Sequence, residues 1–241
     1  LIQYEKTIGK QQYLFQEVLS GTATALQENM HHFEQYSHLI ILNGDTPFVP
    51  QSLLYQLIDH LGDNVVVCFK PLNVAQYGQV LVRHNQAIDI IEAKDRTDDV
   101  SNICYSGIMK CHIDRLKALQ SIAPSPTSNE YYITKLISSE RPFDVIECPE
   151  HYVHGINTPM ELISVPRLFH QERYLGYLKR GIFFQDYDRV IIHPSVRIGD
   201  NCHIDADVTL MGKSHIGSHT HIHQGCLVQQ STIGQHVNIY P

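Results

Sequence analysis

Residues 192–239 read I HPSVRI GDNCHI DADVTL MGKSHI GSHTHI HQGCLV QQSTI GQHVNI when the chain is broken after each apolar register position. Those positions are Ile192, Ile198, Ile204, Leu210, Ile216, Ile222 and Val228, and after one five-residue step Ile233 and Ile239 resume the count. A helix repeats every 3.6 residues and a strand every 2, so a period of six belongs to neither. It fits a left-handed parallel β-helix, whose triangular coil takes six residues per flat side, or about 18 per turn, with one apolar side chain per side pointing inward. About two and a half to three coils are expected over 190–241. A coil of this kind leaves its ends unpaired, so the stretch also predicts a stacked, oligomeric module.

The whole chain has 241 residues, 43% apolar and 18% charged, which is the composition of a globular protein with a sizeable core. Its formal charge of -7, with no basic run longer than Lys179-Arg180, argues against a nucleic-acid partner. The longest apolar runs are short, for example His38-Leu39-Ile40-Ile41-Leu42, so no membrane span and no secretory leader are expected, and a cytoplasmic location is the simplest expectation. Six scattered cysteines without a Cys-x-x-Cys pair read as reduced thiols.

Upstream of about residue 155 strand-like and helix-like segments alternate, predicting an α/β layer with a mainly parallel sheet. Leu39 to Leu42 reads as a strand buried on both faces, Pro50 to Leu61 as an amphipathic helix, and Asn64 to Phe69 as a β-branched strand. Gln79–Val82 and Ile88–Ile91 flank the turn His84-Asn85 as paired strands, and Asn129–Thr134 reads as the opening of a helix. Thr158-Pro159-Met160-Glu161 is a helix start running towards Arg180, with a kink at Pro166. Three regions are therefore expected, namely 1–157, a helical connector over 158–182, and hexads over 183–241.

Asp45 follows an apolar strand and Gly44, beyond the carboxyl end where open α/β sheets hold ligands, a suitable place for a metal-binding carboxylate. The same Gly-Asp also suits a plain hydrogen-bonded turn. Ser20-Gly21-Thr22-Ala23 is a small-residue loop able to bring backbone amides close to a ligand. His219, His221 and His223 alternate along a strand of the hexad region, as solvent-facing positions or as metal ligands.

Taken in order, Leu19-Ser20-Gly21-Thr22-Ala23, Leu42-Asn43-Gly44-Asp45-Thr46-Pro47, Tyr77-Gly78, Ile91-Glu92-Ala93-Lys94-Asp95, Tyr105-Ser106-Gly107, Glu130-Tyr131-Tyr132-Ile133-Thr134 and Gly155-Ile156-Asn157, followed by hexads, resemble one family over essentially the whole chain. This is the bacterial bifunctional N-acetylglucosamine-1-phosphate uridylyltransferase and glucosamine-1-phosphate acetyltransferase family. The resemblance implies a Rossmann-like nucleotidyltransferase domain followed by the start of a left-handed parallel β-helix. It implies Mg²⁺-dependent uridylyl transfer from UTP to N-acetylglucosamine 1-phosphate, giving UDP-N-acetylglucosamine for cell-wall precursors, in a homotrimer. Asp45 and Asn157 would be the metal ligands. Gln16, Gly21 and Thr22 would contact uridine, and Gly78, Glu92, Tyr105 and Asn157 would line the sugar and nucleotide site.

The chain departs from the family pattern at several points. The family's opening Gly-rich loop, with its Gly-Thr-Arg and nearby lysine, has no counterpart in residues 1–241, so no catalytic residue is assigned; without the first strand that accompanies it, a gap and exposed apolar edges are expected. Tyr105 stands where the family has Asn, and Ala23-Thr24 stands where it has Gly-His. No acetyl-transfer residues fall within the hexads present. A non-catalytic relative that binds sugar nucleotide or serves assembly, and a nucleotidyltransferase of other specificity, are the alternative readings.

Overall fold

The computed structural model describes residues 14–156, 158–160, 162 and 173–241. The chain divides into two compact units, Leu1–Asn157 and Thr158–Pro241.

In the first unit, strands β1 (His38–Ile41), β2 (Val65–Phe69), β3 (Gln79–Arg83), β4 (Gln86–Ile91), β5 (Cys104–His112) and β6 (Phe143–Glu147) build a six-stranded sheet of order β1-β5-β2-β6-β4-β3. Every residue of β2 is buried, as its Val-Val-Val-Cys-Phe sequence demands of a strand covered on both faces. Side chains alternate across the pleat. Val66 and Cys68 join a core with Met109, Cys111, Leu116 and Leu119, whereas Val65, Val67 and Phe69 join another with Ile108 and with Leu53 and Leu57 of helix α2 (Gln51–Asp59). Helix α1 (Thr22–Glu28) buries Ala23 in the first of these cores. The turn between β3 and β4 has His84 at φ 50° and Asn85 at φ 62°, the left-handed pair that a two-residue hairpin favours. The six cysteines are free thiols.

The unit is an α/β layer, but its hydrogen-bonding is not mainly parallel. Among the described residues of the sheet, only β2 and β6 pair in parallel. The reason is the insertion of β5. β1 and β2 run in the same direction, as a strand-helix-strand crossover requires, yet β5 lies between them antiparallel to both. The β3–β4 hairpin adds a further antiparallel pair. β1 is consequently an edge strand with all four residues half-buried, rather than a strand covered on both faces.

The helix expected from Asn129 is instead a 3₁₀ turn over Ile133–Leu136. Aromatic and β-branched residues disfavour a helix there, and the backbone of Tyr131 is engaged elsewhere: its N–H donates to Ser20 O at 2.7 Å and its carbonyl accepts from Ala23 N at 2.9 Å. In the connector, 159–160 and 173–179 are helical; Pro166, the site of the expected kink, lies outside the described residues.

The second unit is a parallel β-helix of short strands in three stacks. One stack contains Phe183–Phe184, His203–Ile204, His221–Ile222 and Asn238–Ile239. The next contains Ile191–Ile192, Thr209–Met211 and Leu227–Gln229; the third contains Arg197–Ile198, His215–Ile216 and Thr232–Ile233. The hexad residues stack coil on coil, with Ile192, Leu210 and Val228 in one register line. Ile198 through Val228 are buried, and Ile233 and Ile239 partly so. The five-residue step closes the Ile216 to Ile233 coil without breaking the stack. Phe184, outside the hexad count, fills the position below Ile204, joined by Tyr174, Tyr177 and Tyr187. Corner residues Asn201, His219 and His236 adopt positive φ of 56°, 60° and 56°.

Candidate functional site

A cleft of about 710 Å³ opens in the first unit, within the size range of small-molecule sites. Gln16, Gly21, Thr22, Asp45, Gly78, Glu92 and Tyr105 all line it. Asn157 lies outside the described residues.

One wall is a loop held by its own glycine. Gly21 has φ 123° and ψ 175°, a region open only to glycine, and a Cβ there would stand 2.3 Å from the Tyr131 carbonyl oxygen. This close approach lets the loop pair with the 131–133 segment, to which the Thr22 hydroxyl also bonds by accepting from Ile133 N at 3.1 Å. Gln16 braces the loop from within: its amide nitrogen shares its two hydrogens among Val18 O at 2.8 Å, Gly21 O at 3.1 Å and Thr24 Oγ1 at 2.6 Å. In this arrangement the Gln16 nitrogen is committed to the protein.

Glu92, which follows β4, also lines the cleft. Its Oε1 accepts from the Thr134 hydroxyl at 2.6 Å. Burial raises the Glu92 pKa above the usual carboxylate value, against the opposing effect of the Thr134 bond. Gly78 leaves room for it, since a Cβ at 78 would sit 3.1 Å from Glu92 Oε2. Tyr105 is anchored beside them by its N–H, which donates to Gly78 O at 2.8 Å. Burial, then the neighbouring Glu92 charge, pushes its phenol pKa far up, so the hydroxyl stays neutral. The adjacent Ser106 is structural, donating to Val67 O at 2.8 Å.

Asp45 sits beyond the end of β1, exposed on the cleft rim. Ile156 N donates to its backbone carbonyl at 2.9 Å and Thr46 Oγ1 to Asn43 O at 2.9 Å, fixing the turn. No hydrogen bond or ion pair among the described residues engages the Asp45 carboxylate, which leaves it open to a cation. Asn43 packs against Gly107, at φ 81°, where a Cβ would meet Asn43 Nδ2 at 2.3 Å. Thr134 and Asn43, both supports of the site, had no local signal beyond membership in the ordered motifs.

Residues 195–230 match the family described as bacterial transferase hexapeptide (six repeats). The bifunctional protein GlmU of Vesicomyosocius okutanii is 29% identical over 223 residues, 88% of this chain and 50% of that protein. Its counterpart in Thermodesulfovibrio yellowstonii is 31% identical over 238 residues, 94% of this chain and 52% of that protein. Among solved structures, a UDP-glucose pyrophosphorylase complexed with UDP-glucose overlaps 57% of each chain at 17% identity and a TM-score of 0.44. The chain spans about half the length of the curated relatives it matches. Along about nine-tenths of its own length, through both the cleft-bearing unit and the hexapeptide coils, it is a GlmU-like sequence.

Proposed function

We propose that the cleft binds UTP and N-acetylglucosamine 1-phosphate and carries uridylyl transfer between them. An oxygen of the sugar phosphate attacks the α-phosphorus of UTP, a P–O bond forms to give UDP-N-acetylglucosamine, and pyrophosphate leaves. The observation that carries this reading is the convergence of Gln16, Gly21, Thr22, Asp45, Gly78, Glu92 and Tyr105 on one cleft, in a chain whose relatives are GlmU proteins.

Each group has a defined task in this reading. The braced 16–24 loop offers backbone groups to the base. Glu92, already accepting from Thr134, retains a second oxygen for a sugar hydroxyl. Tyr105, kept neutral, can both donate and accept, and it closes the sugar end of the pocket more than an asparagine would. An unengaged carboxylate beside a phosphate site suits Mg²⁺, which takes few protein ligands and keeps water and phosphate oxygens in its shell. Asp45 would hold that ion, with Asn157 as its second ligand, and the ion's chemistry is neutralisation of phosphate charge. The β-helix is proposed to assemble the chain as a homotrimer.

The test is pyrophosphate release from UTP and N-acetylglucosamine 1-phosphate by the chain with Mg²⁺. Release that disappears in Asp45→Ala, with folding intact, supports transfer. A second reading rests on a specific observation: among the described residues lining the cleft, none is Lys or Arg, and Lys94, beside it, is paired with Glu130 at 2.7 Å. The chain would then bind sugar nucleotide without transferring. Calorimetry showing UDP-N-acetylglucosamine binding without turnover selects that reading, turnover only with another sugar phosphate moves the specificity, and absence of both binding and turnover overturns the assignment.

A further inference from the structure

The β-helix brings together four metal-ligating side chains that lie far from the cleft in sequence and form a two-by-two grid. His203-Ile204-Asp205 on one coil stacks on His221-Ile222-His223 of the next, with His203 opposite His221 and Ile204 opposite Ile222. Because Ile204 and Ile222 point into the core, strand alternation turns both flanking residues of each isoleucine outward. The 18-residue spacing of the coil therefore places the grid by construction.

Its centre is the Asp205 carboxylate. His203 Nε2 lies 3.2 Å and His221 Nε2 2.9 Å from Asp205 Oδ1, and His223 Nδ1 lies 3.3 Å from Oδ2. Donor atoms of His203, Asp205 and His221 all fall within 4.8 Å of one another. Tetrahedral Zn²⁺ with ligand bonds near 2.0–2.2 Å separates its donors by roughly 3.3–3.5 Å, so small side-chain shifts open the group enough to admit the ion. The backbone beneath is fixed: the N–H groups of His203, Asp205, His221 and His223 donate to the next coil at 2.9, 3.0, 2.8 and 2.9 Å. The rings are also wedged, His203 against Phe183 at 4.5 Å between centroids and His223 stacked on Tyr240 at 4.2 Å. His223 turns Nδ1 towards the carboxylate, and its Nε2, on the far side of the ring, is buried with no hydrogen-bond partner among the described residues. His219, which alternates with His221 and His223 in sequence, is not part of the grid; it sits at a coil corner, stacked on His236 at 4.8 Å.

We infer that His203, Asp205 and His221 form a binding site for a divalent transition metal of the Zn²⁺ class on the outer face of the β-helix, with His223 holding the second carboxylate oxygen and water completing the shell. Two imidazoles and one carboxylate, with an open fourth position, are a donor set such ions select over Mg²⁺ or Ca²⁺. The site is independent of the nucleotide-binding reading.

The experiment uses the whole chain, stripped with a chelator and titrated with Zn²⁺ against a chromophoric competitor. One tight ion per chain is expected, with affinity reduced at least tenfold in Asp205→Asn and abolished in His203→Gln/His221→Gln. His219→Gln/His236→Gln should bind as the parent does. Co²⁺ on the parent chain gives a readout that needs no variant to fold, and the expected spectrum has tetrahedral intensity. No saturable Zn²⁺ binding, an octahedral Co²⁺ spectrum, or binding lost from the His219/His236 pair rather than from His203/His221 would overturn the inference.

Discussion

Thr134 donates its hydroxyl to Glu92 at 2.6 Å, joining the end of β4 to the 3₁₀ turn over Ile133–Leu136. Through Ile133, that turn also holds the Thr22 hydroxyl. One short segment thus bonds both the loop and the carboxylate.

Glu92 makes this relationship pH-dependent. A free glutamate titrates near pH 4.3, and burial raises the value in the folded chain. Between the two values the native state retains a proton that the unfolded chain has lost. Stability therefore falls as pH rises through that window, and the cost persists above it. Glu92→Gln keeps an acceptor for Thr134 and removes the ionisation. The variant should be more stable than the parent at neutral pH, with the difference shrinking to nothing below about pH 4. Urea midpoints measured across that range check it; a difference independent of pH would refute the linkage.

Gly21→Ala tests the loop. The new Cβ would stand 2.3 Å from Tyr131 O at a backbone conformation that only glycine adopts readily. We expect about 1–3 kcal/mol of lost stability and a loss of at least tenfold in UDP-sugar affinity. Gly44→Ala is the control, because nothing lies within 4 Å of the place its methyl group would take and its φ is ordinary; its stability should stay within about 0.5 kcal/mol of the parent. Equal effects at the two sites in urea unfolding would show that the Tyr131 approach is not what holds the loop.

The parts of this architecture visible in the sequence are those encoded locally. Ile198, Ile204 and Leu210 reveal the coil because each side of the prism buries one residue at a fixed interval, and His84-Asn85 reveals its hairpin through turn chemistry. The sheet order is not local. Nothing within Cys104–His112 signals that it will insert between β1 and β2, so two strands that run in the same direction lose their direct pairing. Phe184 escaped the hexad count because its coil takes 20 residues to reach Ile204 rather than 18. Asn129–Thr134 reads as a helix opening only until the Gly21 loop claims the Tyr131 backbone. The cleft itself was legible through the order of family motifs rather than through composition or period. The histidine grid was half legible, since alternation marked His221 and His223 but their partners lie one coil away.

Ile204→Ala tests the coil core. Ile204 is fully buried between Phe184 and Ile222, so truncation should cost about 2–5 kcal/mol through lost burial and the cavity left behind. Ile233→Ala, at a partly buried position, should cost less. Denaturant midpoints of the two variants provide the comparison, and the ordering would be wrong if Ile233→Ala were the more damaging.

The same coils also carry an exposed apolar column on their outside. Ile191 is 62% and Leu227 64% exposed, and both align with Thr209 in one outward column, with Met211 two positions along. Large aliphatic side chains in line on a flat β-helix face are costly to leave in water, and the proposed homotrimer would cover them. Ile191→Asp/Leu227→Asp leaves the inward residues untouched, so the coil should still fold. Light scattering behind size exclusion should then report a trimer for the parent and a monomer for the variant. A parent that runs as a monomer, or a variant that remains trimeric, removes this column from the subunit interface.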